Sequence, residues 1–149
     1  ADHPLRTVLP PSPTPTAGAA DPPAPPFALA ALLPRLRRAT DRQPSEHLDG
    51  TLDGEVLADE AASGYPKLGP SRPIGVGATL VEKHLLRGTD AASIYFIMVK
   101  RPPGYDPPGS DWEYLVAAPT GEIEQRGRLP LCGRCHTDAP HDHLFGAMR

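Results

Sequence analysis

Ile74-Gly75-Val76-Gly77-Ala78-Thr79-Leu80-Val81-Glu82-Lys83-His84-Leu85-Leu86, then Arg87-Gly88-Thr89-Asp90, then Ala91-Ala92-Ser93-Ile94-Tyr95-Phe96-Ile97-Met98-Val99-Lys100, is the stretch that decides the fold. Both long runs are rich in β-branched, aromatic and aliphatic residues, and a four-residue turn sequence with Gly and Asp divides them. Such a pair reads as a hairpin. Two further runs of the same kind follow at 111–118 and 121–129, joined through Pro119-Thr120-Gly121. Sequential antiparallel pairing is the simplest way to satisfy four such runs, so the expected fold is mainly β (α+β), an antiparallel meander with short helices.

Upstream of that sheet the signals are weaker. Residues 27–40 place Leu29, Leu32, Leu33 and Leu36 at helical spacing, with Pro34 breaking or kinking the helix. Residues 41–73 are turn-rich, with Asp49-Gly50 and Asp53-Gly54 as breakers and a short helix expected around 55–62. Nine of the 21 prolines fall between Pro4 and Pro26, among Ala, Ser and Thr, so residues 1–26 read as an extended, polyproline-like arm or tether. That leaves residues 27–149 as one domain of modest core.

Charge and hydropathy narrow the function classes. The chain has 149 residues and a net charge of −3, with acids and bases interspersed. There is no basic patch to hold nucleic acid, and the cluster Arg35, Arg37, Arg38 reads as a solvated helix face. The longest apolar run, 27–33, is far shorter than the roughly 20 residues a membrane span needs. The sequence starts at Ala1, which fits a secretory leader removed after a small residue.

The motif that carries chemistry comes after the last strand. Cys132-Gly133-Arg134-Cys135-His136 reads Cys-x-x-Cys-His, the attachment signature of a c-type haem. Thiols at i and i+3 share one face of a helical turn, expected here over about 130–138, where both can add to the vinyl groups of a single porphyrin. His136 then reaches the iron as axial ligand. The expected cofactor is one covalent haem c. Other chemistries use the same spacing: a redox dithiol, a small disulfide loop, or a structural zinc site completed by His141 and His143. No βαβ pattern accompanies the pair, and no second closely spaced cysteine pair exists. Attachment of this type is completed outside the bacterial cytoplasmic membrane, so a periplasmic or exported location is expected.

The loop Gly104-Tyr105-Asp106-Pro107-Pro108-Gly109-Ser110-Asp111-Trp112-Glu113-Tyr114, the strand pair after it, Cys-x-x-Cys-His, and then Ala139-Pro140-His141-Asp142-His143-Leu144-Phe145 together resemble the cytochrome P-460 family, which includes the cytochromes c′-beta. The resemblance covers residues 74–146. It implies a predominantly β fold, one haem with His136 as proximal ligand, and usually a homodimer. Hydroxylamine-oxidising members carry an extra lysine-to-porphyrin bond from a strand reading Gly-x-x-x-Val-Lys-Glu, whereas the c′-beta proteins bind nitric oxide in an apolar distal pocket. This chain reads Gly77-Ala78-Thr79-Leu80-Val81-Glu82-Lys83, with Glu82 at the lysine's place and Lys83 one residue on. Alternation along a strand sends Lys83 to the opposite face unless a bulge intervenes.

The remaining candidates surround that haem. Glu82, Lys83, Phe96 and Met98 are candidate distal-pocket residues, Met98 and Met148 are candidate sixth ligands, and Trp112 and Tyr114 pack near the haem edge. Met98 and Phe96 serve equally well as plain core, and Tyr105 and Asp106 read as turn formers. Asp142 with His141 and His143 orders the end of the haem helix, approaches a propionate, or is simply solvated. Two classes follow: an electron-transfer protein with a redox partner protein that also takes a small nitric oxide-like ligand, or an enzyme oxidising hydroxylamine or nitric oxide with Glu82 as proton acceptor.

Overall fold

The structure, a computed structural model, describes residues 24–69 and 74–145. The expected arm therefore lies almost wholly outside the described residues, and so does Met148. Of the arm's end, the Pro25 carbonyl accepts a hydrogen bond from Arg126 Nη1 at 2.7 Å.

The described residues form one antiparallel sheet of seven strands: β1 (Arg37–Arg38), β2 (Gln43–Pro44), β3 (Asp53–Ala58), β4 (Thr79–Leu85), β5 (Ala92–Lys100), β6 (Trp112–Ala117) and β7 (Ile123–Gly127). The order is β1-β3-β4-β5-β6-β7, and β2 pairs with β3 at the other end of the edge that β1 occupies. From β4 onward this is the expected meander. The β4–β5 turn closes with Leu86 N–H on the Ala91 carbonyl at 3.1 Å, and the β6–β7 turn with Ala118 N–H on the Glu122 carbonyl at 2.8 Å. Gly88 at φ 78° and Gly121 at φ 92° supply the left-handed backbone these two turns require.

Residues expected as a helix around 55–62 belong instead to β3 and a 3-10 turn, Glu60–Ala62. Tertiary pairing overrides the breaker signal of Asp53-Gly54, because β3 hydrogen-bonds along all six residues to β4. Gly54 is needed there for close approach: a Cβ at this position would lie 2.6 Å from Glu82 Oε1 and 3.3 Å from Ser45 Cβ. The helix expected over 27–40 shrinks to α1 (Leu29–Leu32) and a 3-10 turn with Pro34, after which the chain turns extended as β1. The arginine cluster is thus not a solvated helix face. Arg37 on β1 donates to the carbonyls of Ala62, Ser63 and Tyr65 at 3.1, 2.9 and 2.9 Å, fastening the turn after β3.

Period-two alternation sorts the side chains into two cores. One face carries Val81, Tyr95, Ile97, Val99, Leu115 and Ala117, covered by Leu29 of α1. The other carries Ala58, Leu80, Met98, Trp112 and Tyr114 and is closed by Tyr65, Ile74, Leu144 and the second helix, α2 (Pro130–His136). Trp112 is fully buried, and its indole Nε1–H donates to the Asp142 carbonyl at 2.8 Å. Truncating such a residue costs about 3–5 kcal/mol. Residues that must face the same way are therefore spaced by two, and this is what assembles the site.

Glu113 is the buried charge of the sheet. Only 2% exposed, it accepts from Arg101 Nε at 3.0 Å and from Arg126 Nη2 at 2.8 Å. Burial alone would raise its pKa, but hydrogen bonds from Arg126 and Arg101 outweigh that and hold it below the ordinary carboxylate value. A lowered folded-state pKa adds stability above the unfolded value that is lost as pH falls through the folded one. Glu113→Gln should cost about 3 kcal/mol at neutral pH and much less in acid. Chemical denaturation at both pH values checks this, and an equal cost at the two would contradict it.

Candidate functional site

Cys132, Cys135 and His136 all lie on α2, as the motif spacing requires. Pro130 sits in the first turn, where its missing N–H is not needed and its fixed φ starts the helix. Cys132 is half-buried against the Leu80, Met98 and Tyr114 face, whereas Cys135 is exposed. Both are free thiols. Burial pushes the Cys132 thiol pKa up.

His136 is held in one orientation. Its Nδ1 lies 2.8 Å from the His143 carbonyl, and since a carbonyl only accepts, Nδ1 carries the proton and Nε2 keeps its lone pair. Burial lowers the pKa of this ring, against the raising effect of the His143 carbonyl, and favours the neutral form that can donate to a metal. Tyr114 and Phe145 flank it, with ring centres 5.5 and 5.3 Å away. The carbonyl is itself fixed by a clamp. Asp142, at φ 50°, accepts from Lys100 Nζ at 2.6 Å and from the Ser110 hydroxyl, which ties the 139–145 loop to the end of β5 and to the β5–β6 loop. Tyr65 adds a second tie, its hydroxyl donating to the Phe145 carbonyl at 2.9 Å. Asp142 and His143 thus order the end of the helix.

A second group stands on the same sheet face. Glu82 on β4 meets His47 Nδ1 at 2.8 Å, His84 Nε2 at 3.4 Å and the Ser45 hydroxyl at 3.0 Å. Burial alone would raise the Glu82 pKa, but the hydrogen bonds from His47 and His84 hold it far below the usual carboxylate range. The serine hydroxyl donates to the carboxylate, so the 3.0 Å contact from His84 Nε2 to Ser45 Oγ is a donation from the imidazole. That assignment leaves a lone pair on His84 Nδ1, which is buried without a hydrogen-bond partner. Phe96 packs edge-on against both rings, at 4.9 Å from His47 and 4.7 Å from His84. The three ligand atoms of His47, Glu82 and His84 lie within 4.8 Å of one another, a spacing that could hold a metal ion.

The expected residues divide clearly. Glu82, Phe96, Met98, Trp112 and Tyr114 share the face that α2 closes, through the registers Glu82↔Phe96, Leu80↔Met98 and Met98↔Tyr114. Lys83 does not: it pairs with Tyr95, a core residue of the opposite face, and no bulge intervenes before His84. Its place as a distal-pocket candidate is corrected by the strand pleat. Met98 is 8% exposed and packed within the core cluster beside Leu80 and Tyr114. Neither cysteine belongs to the three-ligand group found among the described residues. An open groove of about 370 Å³ lies on the other side, between α1 and the ends of β4 and β5, away from the motif.

Ser45, His47, His84 and the Lys100–Asp142 clamp were not singled out from sequence. Glu82-x-His84 at strand spacing was a legible signal for His84, whereas Ser45 and His47 sit in the turn-rich stretch, where no periodicity fixes direction. No protein-family model matches this chain, and no curated protein matches it.

Gly54→Ala tests the packing of this group. The new methyl would drive into a carboxylate fixed by three partners, so a loss of about 1–3 kcal/mol is expected by denaturation. An unchanged midpoint would mean that Glu82 is free to move away.

Proposed function

We propose that the protein is an exported mono-haem c-type cytochrome of the cytochrome P-460 kind, acting in electron transfer and binding of small nitric oxide-like ligands. The observation that carries this reading is His136, the last residue of Cys-x-x-Cys-His, with Nδ1 pinned by the His143 carbonyl and Nε2 left as a lone pair. A ligating histidine characteristically gives its other ring N–H to such an acceptor, which fixes its tautomer and raises its basicity.

The surrounding residues fit the group. Cys132 and Cys135 are free, Leu131 and Phe145 are exposed apolar side chains beside them, and the Tyr114 hydroxyl and His143 Nδ1 are buried polar atoms with no partner. Bound there, haem supplies one-electron chemistry at iron and an axial position for a small ligand. The protein's share is to anchor the porphyrin through two thioethers, orient His136, and shield one face with Met98, Phe96 and Tyr114. Electrons then pass to a partner protein through the exposed side near Cys135. Hydroxylamine oxidation is the second reading: it would use Glu82, which stands on the same face, yet a carboxylate held far below its usual pKa by His47 and His84 is a weak proton acceptor. With Glu82 where the resemblance has the lysine and Lys83 on the opposite face of the sheet, this strand does not offer the cross-link, so electron transfer is preferred.

Mass spectrometry of the denatured chain, produced with a haem-attachment system, should show one haem retained. Cys132→Ala with Cys135→Ala should retain none. A wild-type chain that released all its haem into acid-acetone would overturn the reading.

A further inference from the structure

We propose that His47, Glu82 and His84 form a binding site for one divalent transition-metal ion of the zinc kind, apart from the cysteine motif. The inference does not depend on the haem reading, since it uses none of Cys132, Cys135 and His136.

Three observations converge on this group. First, its donors stand at ligand spacing. His47 Nδ1 is 2.8 Å from Glu82 Oε2, His84 Nε2 is 3.4 Å from Glu82 Oε1, and the three ligand atoms lie within 4.8 Å of one another. Metal–donor bonds of about 2 Å in a tetrahedron put neighbouring donors roughly 3.3 Å apart. Second, the carboxylate is not met by a permanent cation. Glu113 is held by two guanidiniums, whereas the ion pairs to Glu82 come from imidazoles, which are charged only when protonated. A divalent ion answers the carboxylate charge while both imidazoles stay neutral, the form in which they ligate. Third, His84 is fully buried, and its polar contacts run through Nε2 into this group, while Nδ1 has no partner. A polar ring buried at that cost calls for a reason, and ligation through Nε2 supplies one.

The fold presents all three ligands. Glu82 and His84 are spaced by two on β4 and so project from one face, and His47 reaches them from the 3-10 turn His47–Gly50. Taking up the ion switches both imidazoles to the other tautomer: the His84 proton moves to Nδ1, and the His47 proton to Nε2, on a side chain 36% exposed. Two histidines and a carboxylate are three protein ligands, which leaves the fourth position of a tetrahedral ion to a water. Ser45 Oγ, 3.0 Å from both Glu82 Oε1 and His84 Nε2, is the hydroxyl at hand to hydrogen-bond that water. The ion thereby fastens the turn that carries His47 to β4.

The test uses the full chain, produced with a haem-attachment system, stripped with a chelator and dialysed against micromolar zinc. Elemental analysis should give one zinc per chain. Zinc-edge X-ray absorption should show only nitrogen and oxygen ligands at about 2.0 Å, with the outer scattering of two imidazoles and no sulfur at about 2.3 Å. Zinc should also raise the melting temperature. His47→Ala and Glu82→Gln should each weaken zinc binding by more than the roughly 10–100-fold that loss of an outer-shell partner costs, while His141→Ala leaves it unchanged. If Glu82→Gln does not fold, His47→Ala, at a partly exposed position, and the wild-type spectrum decide. A wild type that retains no zinc, or that His47→Ala equals in affinity, overturns the inference, and so does zinc bound through sulfur. A chain that holds its haem but no zinc leaves the cytochrome reading standing. Zinc on nitrogen and oxygen donors in a chain without covalent haem supports the site and overturns the cytochrome reading.

Discussion

The pleat of β4, hydrogen-bonded on one side to β3 and on the other to β5, is the constraint from which the site follows. Because successive side chains point to opposite faces, Leu80, Glu82 and His84 are directed together, while Val81 and Lys83 are sent to the α1 side. A one-residue slip would exchange these sets and bury a lysine in place of the carboxylate. Slip is resisted on both sides by the packed registers Val56↔Glu82 and Glu82↔Phe96, and by Gly54, which leaves room for the carboxylate.

Two polar assemblies then fix what the apolar core cannot. A hydrophobic face positions α2 only loosely, because apolar contact is non-directional. The Asp142 clamp and the Trp112 and Tyr65 hydrogen bonds set the 139–145 loop, and that loop's carbonyl sets the His136 ring. Across from it, Ser45 and Glu82 do the same for His47. Each imidazole is held through Nδ1, and each presents Nε2. Leaving His84 Nδ1 and the Tyr114 hydroxyl unpaired costs about 1–3 kcal/mol apiece, a penalty more readily understood at a binding site than in an inert core.

The meander was legible because its strands are long, β-branched and separated by Gly- and Pro-containing turns. The short α2 was legible from Pro130 and the cysteine spacing. What escaped was β3, where Asp53-Gly54 reads as a turn but serves a close contact, and with it the loop that brings Ser45 and His47 to the face. Those residues are placed by pairing across long stretches of chain, Glu82 with Val56 and Ser45 with His84, and no local pattern encodes such a contact. Arg37 shows the same limit: a cationic run looked solvated, yet one guanidinium is spent on three backbone carbonyls.

The central claim is that α2 holds one c-type haem over this face through two thioethers and no other covalent bond. The pyridine haemochrome and the dithionite-reduced optical spectrum of the purified protein test it most directly. The account predicts an ordinary c-type haemochrome and a reduced spectrum without the strong red shift that a lysine–porphyrin bond produces. A red-shifted reduced band, or a haemochrome of protoporphyrin type, would contradict it.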